Sequence, residues 1–314
     1  MVSNCSNILF IWRSNVRAHG IASLLFAIFM WNAMSSSAQS NEDSICYDCR
    51  RAGIIGLTST AGIGSFYFLN ELWYKNYERT DMHSFDDSKE WLQMDKVGHA
   101  FSTYTLSNQY YDVLQRNRMS PRKAAWVAGG TSFMYLTGIE VMDGFSSQWG
   151  WSWSDMLANT FGSSLFLFQQ LKWNDQRMQL KFSYSNSGYA MFNSEQLGDN
   201  FQQRLFKDYN AQTYWLSYNI SSNMASDKAF PRWLNVAIGY GATEMTTARI
   251  NYYDVNNFNR TREFYLSFDA DLNRLRWKKK WLKQTMKILS FIKIPAPTFE
   301  IRSDGKMKLH GLFF

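Results

Sequence analysis

The sequence predicts an α+β protein: a four-helix bundle, suited to membrane association, followed by an antiparallel β-sheet or partial barrel of about six strands. Three observations carry this prediction. Before Trp173 the apolar residues fall in helix-length stretches, and after it they alternate with polar residues at period two. From Arg274 to Lys287 cations are interleaved with Trp, Leu and Met, as in an amphipathic helix.

Residues 1–38 read as an export signal. Arg13, Arg17 and His19 form a basic start, Ile21 to Ala33 is apolar but too short to span a bilayer, and Ser36-Ser37-Ala38 offers a cleavage site. An uncleaved anchor is the alternative. No lipobox cysteine follows, since Asp43-Ser44-Ile45-Cys46 is a poor match. The leader holds two arginines and no acid, so its removal takes the formal charge from +7 to +5 (7 − 2). That charge suits anionic lipid in the envelope, and no Arg/Lys stripe with interleaved aromatics marks a nucleic-acid module. The expected location is the periplasm or outer membrane of a Gram-negative bacterium, with a lipid surface as partner.

Residues 39–52 form a tail containing Cys46-Tyr47-Asp48-Cys49. In an oxidising compartment this is a small disulfide loop or a redox pair; the absence of a thioredoxin-like βαβ pattern favours the structural role. Aromatics reach 17% with only 4 prolines, and mean hydropathy is −0.36. Both a membrane–water boundary and an aromatic-rich soluble core fit that composition.

The helical region is expected over 53–173. Gly53 to Asn70 is uncharged, and a polar loop with Arg79, Asp81, Asp86, Asp87 and Lys89 follows. The second helix is expected from Trp91 to Arg116. The third starts at Ser120-Pro121, with proline at the first helical position, and runs to Val141. After a Gly/Ser/Trp loop, Ser154 is the expected N-cap of a helix ending near Lys172. None is a clean membrane span.

The β region is expected over 174–314. Met178, Leu180, Phe182 and Tyr184 alternate with polar residues, as do Tyr214 to Ile220, Leu234 to Tyr240, and Phe264 to Phe268. Phe299 to Arg302 and Met307 to Phe313 make a closing hairpin around Ser303-Asp304-Gly305. An outer-membrane β-structure with a final aromatic residue fits this pattern, but the strands are short and fewer than the eight of the smallest barrels. An open sheet or partial barrel packed on the helices is the first reading. A basic amphipathic helix is expected at about 274–291, with Trp277, Lys278, Lys279, Lys280, Trp281 and Lys283 facing an anionic membrane surface.

Ionisable groups sit in the apolar helices. Asp95 and His99, and Asp155 and Asn159, are spaced i,i+4 and so share a helix face; Glu140 lies in the helix between. Asp143 follows Glu140 by one turn, and Lys96 is the cation at hand. His99, Glu140 and Asp155 suit a divalent metal. His99 with Asp95, Glu140 and Asp155 equally suits acid–base catalysis. The third reading is a hydrogen-bonded network that fixes helix register, with Lys96 or an arginine neutralising one acid.

Asp95-Lys96-Val97-Gly98-His99-Ala100-Phe101, Glu140, and Asp155-Met156-Leu157-Ala158-Asn159-Thr160-Phe161-Gly162 resemble the YfiM-like family of predicted periplasmic lipoproteins. The longer Bacteroidetes-type members are similar over nearly the whole mature chain, including Lys207-Asp208-Tyr209-Asn210 and Lys293-Ile294-Pro295-Ala296-Pro297. The helical half more distantly resembles VanZ-like membrane proteins, which usually carry a Gln where Asp143 stands. The resemblance implies an envelope location, association with surface lipids or glycopeptides, and no established reaction. It points to Asp95, Lys96, His99, Glu140, Asp155, Asn159 and Gly162. The expected function is therefore a non-enzymatic, lipid-interacting envelope protein without a cofactor. The alternatives are a metal- or His/carboxylate-dependent enzyme acting on envelope lipid or a wall precursor, and an outer-membrane pore.

Overall fold

The computed structural model describes residues 77–224, 230–249 and 258–314, with 56, 60, 62–67 and 69–74 ahead of them. The expected leader and the Cys46/Cys49 tail lie outside those residues. Within the expected first helix, 62–67 are helical, and a π turn, Asn70–Tyr74, follows. The chain forms two compact units: 1–82 with 141–149, and 83–140 with 150–314. In the first, the rings of Tyr74 and Tyr77 meet Trp149 edge-on, and the Thr80 N–H donates to the Phe145 carbonyl at 2.9 Å.

The second unit is α+β, with its long helices first and the strands after, and shorter helices between the strands. The long helices are α1, Met94–Arg116; α2, Pro121–Gly144, whose last turn belongs to the first unit; and α3, Trp153–Trp173. Pro121 opens α2 as expected. The cap of α3 is Ser152 rather than Ser154. Ser152 has the extended backbone (φ −108°, ψ 120°) and accepts the Asp155 N–H at 3.1 Å, while Ser154 turns its hydroxyl to Asp87. Helix α1 starts three residues after Trp91. Trp91, Leu92 and Gln93 are left-handed, with φ of 47°, 50° and 65°. Arg262 Nη1 holds that turn by donating to Gln93 Oε1 at 2.7 Å, and the Tyr240 hydroxyl donates to the Leu92 carbonyl.

Helices α1 and α3 cross where Gly162 meets Ala100; a Cβ there would lie 2.2 Å from the Ala100 carbonyl oxygen. Tyr104, Tyr111 and Leu114 of α1, Phe166 of α3 and Ala124, Ala125 and Ala128 of α2 form the helical core.

Six strands follow in antiparallel, sequential order: β1 Met178–Tyr184, β2 Gln212–Asn219, β3 Leu234–Thr243, β4 Thr261–Ala270, β5 Ala296–Arg302 and β6 Met307–Phe313. Their register aligns the alternation across every strand. One face carries the row Leu180, Leu216, Ile238, Leu266, Phe299, Leu309; the other carries Gln179, Ser217, Ala237, Ser267, Thr298, His310.

The sheet curls toward its polar face. Strands β2 and β6 would stand about 19 Å apart if flat, at about 4.8 Å per strand. Yet the rings of Trp215 on β2 and Phe313 on β6 have centroids 6.0 Å apart, and Lys181 on β1 reaches Asp269 on β4 at 2.6 Å. Gly239 admits Trp215, since a Cβ there would lie 2.7 Å from the indole. The hollow is filled by Lys181, Trp215, Asp269 and Lys293, with Lys293 over the Trp215 ring.

The basic helix α4 spans Lys280–Ile288, shorter than the expected 274–291. Arg274 is held by Asp271 and Asp175, and the Trp277 indole donates to the Leu272 carbonyl at 2.8 Å, so the chain bends before the helix begins. No helix among the described residues is long and apolar enough to cross a membrane.

Candidate functional site

The candidate site lies in the second unit, where α1, α2, α3, the loop before α1 and the segment before β2 meet. The i,i+4 spacing of α1 turns Asp95 and His99 inward together, and α3 does the same for Asp155 and Asn159. The Lys96 ammonium stands among three carboxylates: Asp87 Oδ2 at 2.6 Å, Asp95 Oδ2 at 2.9 Å and Asp155 Oδ1 at 2.9 Å. His99 Nδ1 faces Asn159 Oδ1 at 3.2 Å and Glu140 Oε1 at 3.3 Å, and Nε2 faces Asp95 Oδ1 at 3.8 Å. The Tyr209 hydroxyl donates to Asp95 Oδ1 at 2.6 Å. Asp87 accepts from Ser152 and Ser154 at 2.6 and 2.7 Å. Thr103 places its hydroxyl 3.0 Å from Asn159 Oδ1 and 2.9 Å from the His99 carbonyl.

The electrostatics follow from four carboxyl groups meeting two cations. Burial would lower the His99 pKa, but the charges of Asp155, Asp95 and Glu140 outweigh it and raise it to about 9. Both ring nitrogens turn toward acceptors, as a doubly protonated imidazole requires. For Asp95, burial acts upward and is outweighed by Lys96, His99 and the Tyr209 hydrogen bond, which hold the carboxyl at about 2. Asp155 gives way instead: burial and the neighbouring Asp95 charge raise it to about 7. Burial likewise opposes the charge on Lys96, yet Asp95 and Asp155 hold its pKa above the ordinary lysine range. Burial and Asp95 push the Tyr209 phenol upward, so it stays a donor.

Of the residues singled out in the sequence, Asp95, Lys96, His99, Glu140, Asp155 and Asn159 come together. Asp143 belongs to the first unit, where it accepts from the Tyr74 hydroxyl at 2.6 Å. The sequence reading missed Asp87, Tyr209, Thr103 and Ser152. Asp87 is one of several acids in a polar loop, and Tyr209 lies 114 residues from Asp95. Tyr209 stands in a stretch that carries the family resemblance, the one signal that pointed to it.

Asp95, His99 and Asp155 each offer a donor atom, and the three lie within 4.8 Å of one another. One histidine with carboxylates is a plausible Zn²⁺ set by type. The Lys96 ammonium, however, already bridges Asp95 and Asp155. An ion bound there would have to displace it from its pairs with Asp87, Asp95 and Asp155.

Of the surface residues expected to face a membrane, Lys278, Lys279, Lys280, Trp281 and Lys283 are exposed, with Trp281 at 61%. Trp277 is half-buried. On α4 itself, Lys287 pairs with Asp112 of α1.

Fold and site together define an α+β second unit: long helices tied by a charged cluster, and a curled sheet with its polar face inward. Residues 81–171 match a family model described as "Predicted periplasmic lipoprotein (DUF2279)". The match covers α1, α2, α3 up to its last two residues, most of the loop before α1 and every cluster residue except Tyr209; the sheet lies beyond it. The comparison with curated proteins returns no match, and neither does the comparison with solved structures.

Proposed function

We propose that this is a non-enzymatic protein of the periplasm or outer membrane that docks the convex face of its sheet into one lipid leaflet. The carrying observation is the inverted polarity of the sheet. Ile238, Leu266, Phe268 and Leu309 are 57%, 53%, 54% and 76% exposed, while Lys181 and Asn235 on the opposite face are fully buried. A water-facing sheet buries its apolar face and wets the polar one. The reverse suits hydrocarbon outside and a filled polar interior. Helix α1 packs on this face through Phe101 against Phe182 and Tyr214, and its Met94 shares a buried cluster with Tyr214 and Ala242 of β3.

Depth decides between spanning and docking. Along β4 the apolar residues run from Phe264 to Phe268, about 14 Å at about 3.4 Å per residue. The hydrocarbon core is about 30 Å thick, so the face fits one leaflet. Helix α4 supports the same reading, with Trp281 and Ile288 exposed among Lys279, Lys280 and Lys283. So does α3, whose outer stripe is Trp153, Leu157, Phe161, Phe168 and Leu171. The filled hollow argues against an open pore.

The cluster is the joint that holds the helices in register. A protonated His99 is a poor general base at neutral pH, and Lys96 already neutralises the carboxylates that a metal would need. Flotation of the mature chain with anionic vesicles tests the lipid reading. Leu266→Arg puts a charge where the lipid-face cost is about 2–4 kcal/mol at the midplane and falls to about 0–1 at the interface. It should strip the chain from vesicles while leaving the circular dichroism unchanged. Equal flotation of both proteins would overturn docking by this face.

A further inference from the structure

The two edges of the sheet are treated differently. The outer edge of β1 is covered: Ile292 bridges to Phe182, and the Lys293 N–H donates to the Phe182 carbonyl at 2.9 Å. Among the described residues nothing pairs with the far side of β6. Its protection is slight. Lys308 is its one lysine or arginine, it holds no proline, and its register is regular from Met307 to His310, shifting only beyond. Sheets normally blunt such an edge with charge, proline, bulges or a cover, because bare amides and carbonyls invite another strand.

Side-chain exposure points the same way. On β5, Phe299 and Ile301 of the apolar face are 37% and 39% exposed; on β6, Met307 and Leu309 of that same face are 67% and 76% exposed. An apolar side chain within a sheet is screened by the strands on either side. The step from β5 to β6 is what a missing neighbour leaves.

We propose that the missing neighbour is β6 of a second copy, paired antiparallel about a two-fold axis at Leu309. This register is self-complementary, as a two-fold interface requires. It sets Leu309 against its own counterpart and keeps both apolar rows on one continuous face. It also sets Lys308 opposite His310 of the other copy. Glu300 pairs in register with Lys308 and contacts His310 within each copy, so every cross-copy Lys308–His310 pair has a carboxylate beside it. The result is a twelve-stranded sheet, two times the six of one copy. It presents one unbroken apolar surface and leaves no bare β6 edge at the lipid.

Single cysteines test the register. In the full chain with Cys5, Cys46 and Cys49 replaced by serine, Leu309→Cys brings two thiols together. Opposed Cα atoms in such a pair lie about 4.5–5.5 Å apart, within the disulfide range. Mild oxidation should convert most of Leu309→Cys to a covalent dimer. Leu266→Cys, on the same face in a central strand, should form no covalent dimer. Equal cross-linking at both positions would mean contact by faces and overturn edge pairing. A monomer by light scattering, with Leu309→Cys uncrosslinked, would overturn it as well. So would β6 amides protected from exchange in a monomer, because a strand of the same chain would then cover the edge. Flotation reads separately: a dimer that ignores vesicles refutes the lipid docking and leaves the edge pairing standing.

Discussion

His99 and Asp155 make the cluster titrate between about pH 7 and pH 9, and the sign of the effect follows from their shifts. The His99 pKa in the fold is about 9 against an ordinary 6.5. Its stabilising contribution is therefore complete below about pH 6.5 and disappears as pH rises through about 9. Asp155, raised to about 7 from 3.8, acts in the same direction over a lower window, from about pH 4 to 7. Asp95 acts oppositely: held at about 2, its contribution is present above its unfolded pKa and is lost as pH falls through 2. Thermal unfolding should thus show a melting temperature that declines between pH 6.5 and pH 9. The His99 share is of the order of 3 kcal/mol for a shift of this size. His99→Gln should flatten that part of the profile, and a profile identical to the parent's would refute the imidazolium assignment. At this scale the sequence was legible wherever spacing carried the information. The two i,i+4 pairs and the mid-helix Glu140 announce themselves as charges among apolar residues. Asp87 and Tyr209 do not, because no local pattern separates a loop aspartate or a distant tyrosine from others of their kind.

Elements were legible where periodicity was strong, and their ends where a cap was unambiguous. Every expected strand is present, because the alternation is long and the turns are marked. The start of α1 was misplaced because its left-handed turn is imposed by Arg262 and Tyr240 from strands far along the chain, and local propensity cannot express that. The α3 cap was misassigned because two serines, 152 and 154, offer the same side chain. Close approach was hidden too. Gly162 is marked only by the family resemblance, and nothing local says that it admits the Ala100 carbonyl. Gly162→Ala should therefore destabilise the chain by roughly 1–3 kcal/mol, since backbone cannot yield as a side-chain end would. Gly130, on α2, with nothing near its would-be Cβ, is the control: Gly130→Ala should hold or raise stability, as a helix-interior alanine does. Denaturant midpoints of the two variants check this, and equal midpoints would show that α1 and α3 need no close contact.

At the level of the whole molecule, alternation leaves one matter undecided: which face is inside. The same sequence serves a sheet whose apolar side packs on helices and one whose polar side is filled. Side-chain reach across the curl, Lys181 to Asp269 and Trp215 to Phe313, resolves it in favour of the polar interior. The curl in turn fixes what the exterior can meet. The exposed apolar run along β4, about 14 Å tall, is too short to span a core of about 30 Å, and the proposed docking takes it out of water. Depth is then the discriminating measurement. Nitroxide labels on Leu266→Cys and, near the β4 ends, Arg262→Cys and Ala270→Cys should differ in their accessibility to oxygen and to a water-soluble nickel complex. Docking in one leaflet predicts the 266 label about 5–10 Å below the interface, as for other surface-bound amphipathic elements. The 262 and 270 labels should sit near water. A label at 266 close to the midplane, about 15 Å deep in a core of about 30 Å, would mean a spanning sheet. Equal nickel accessibility at all three positions would mean that lipid does not cover this face.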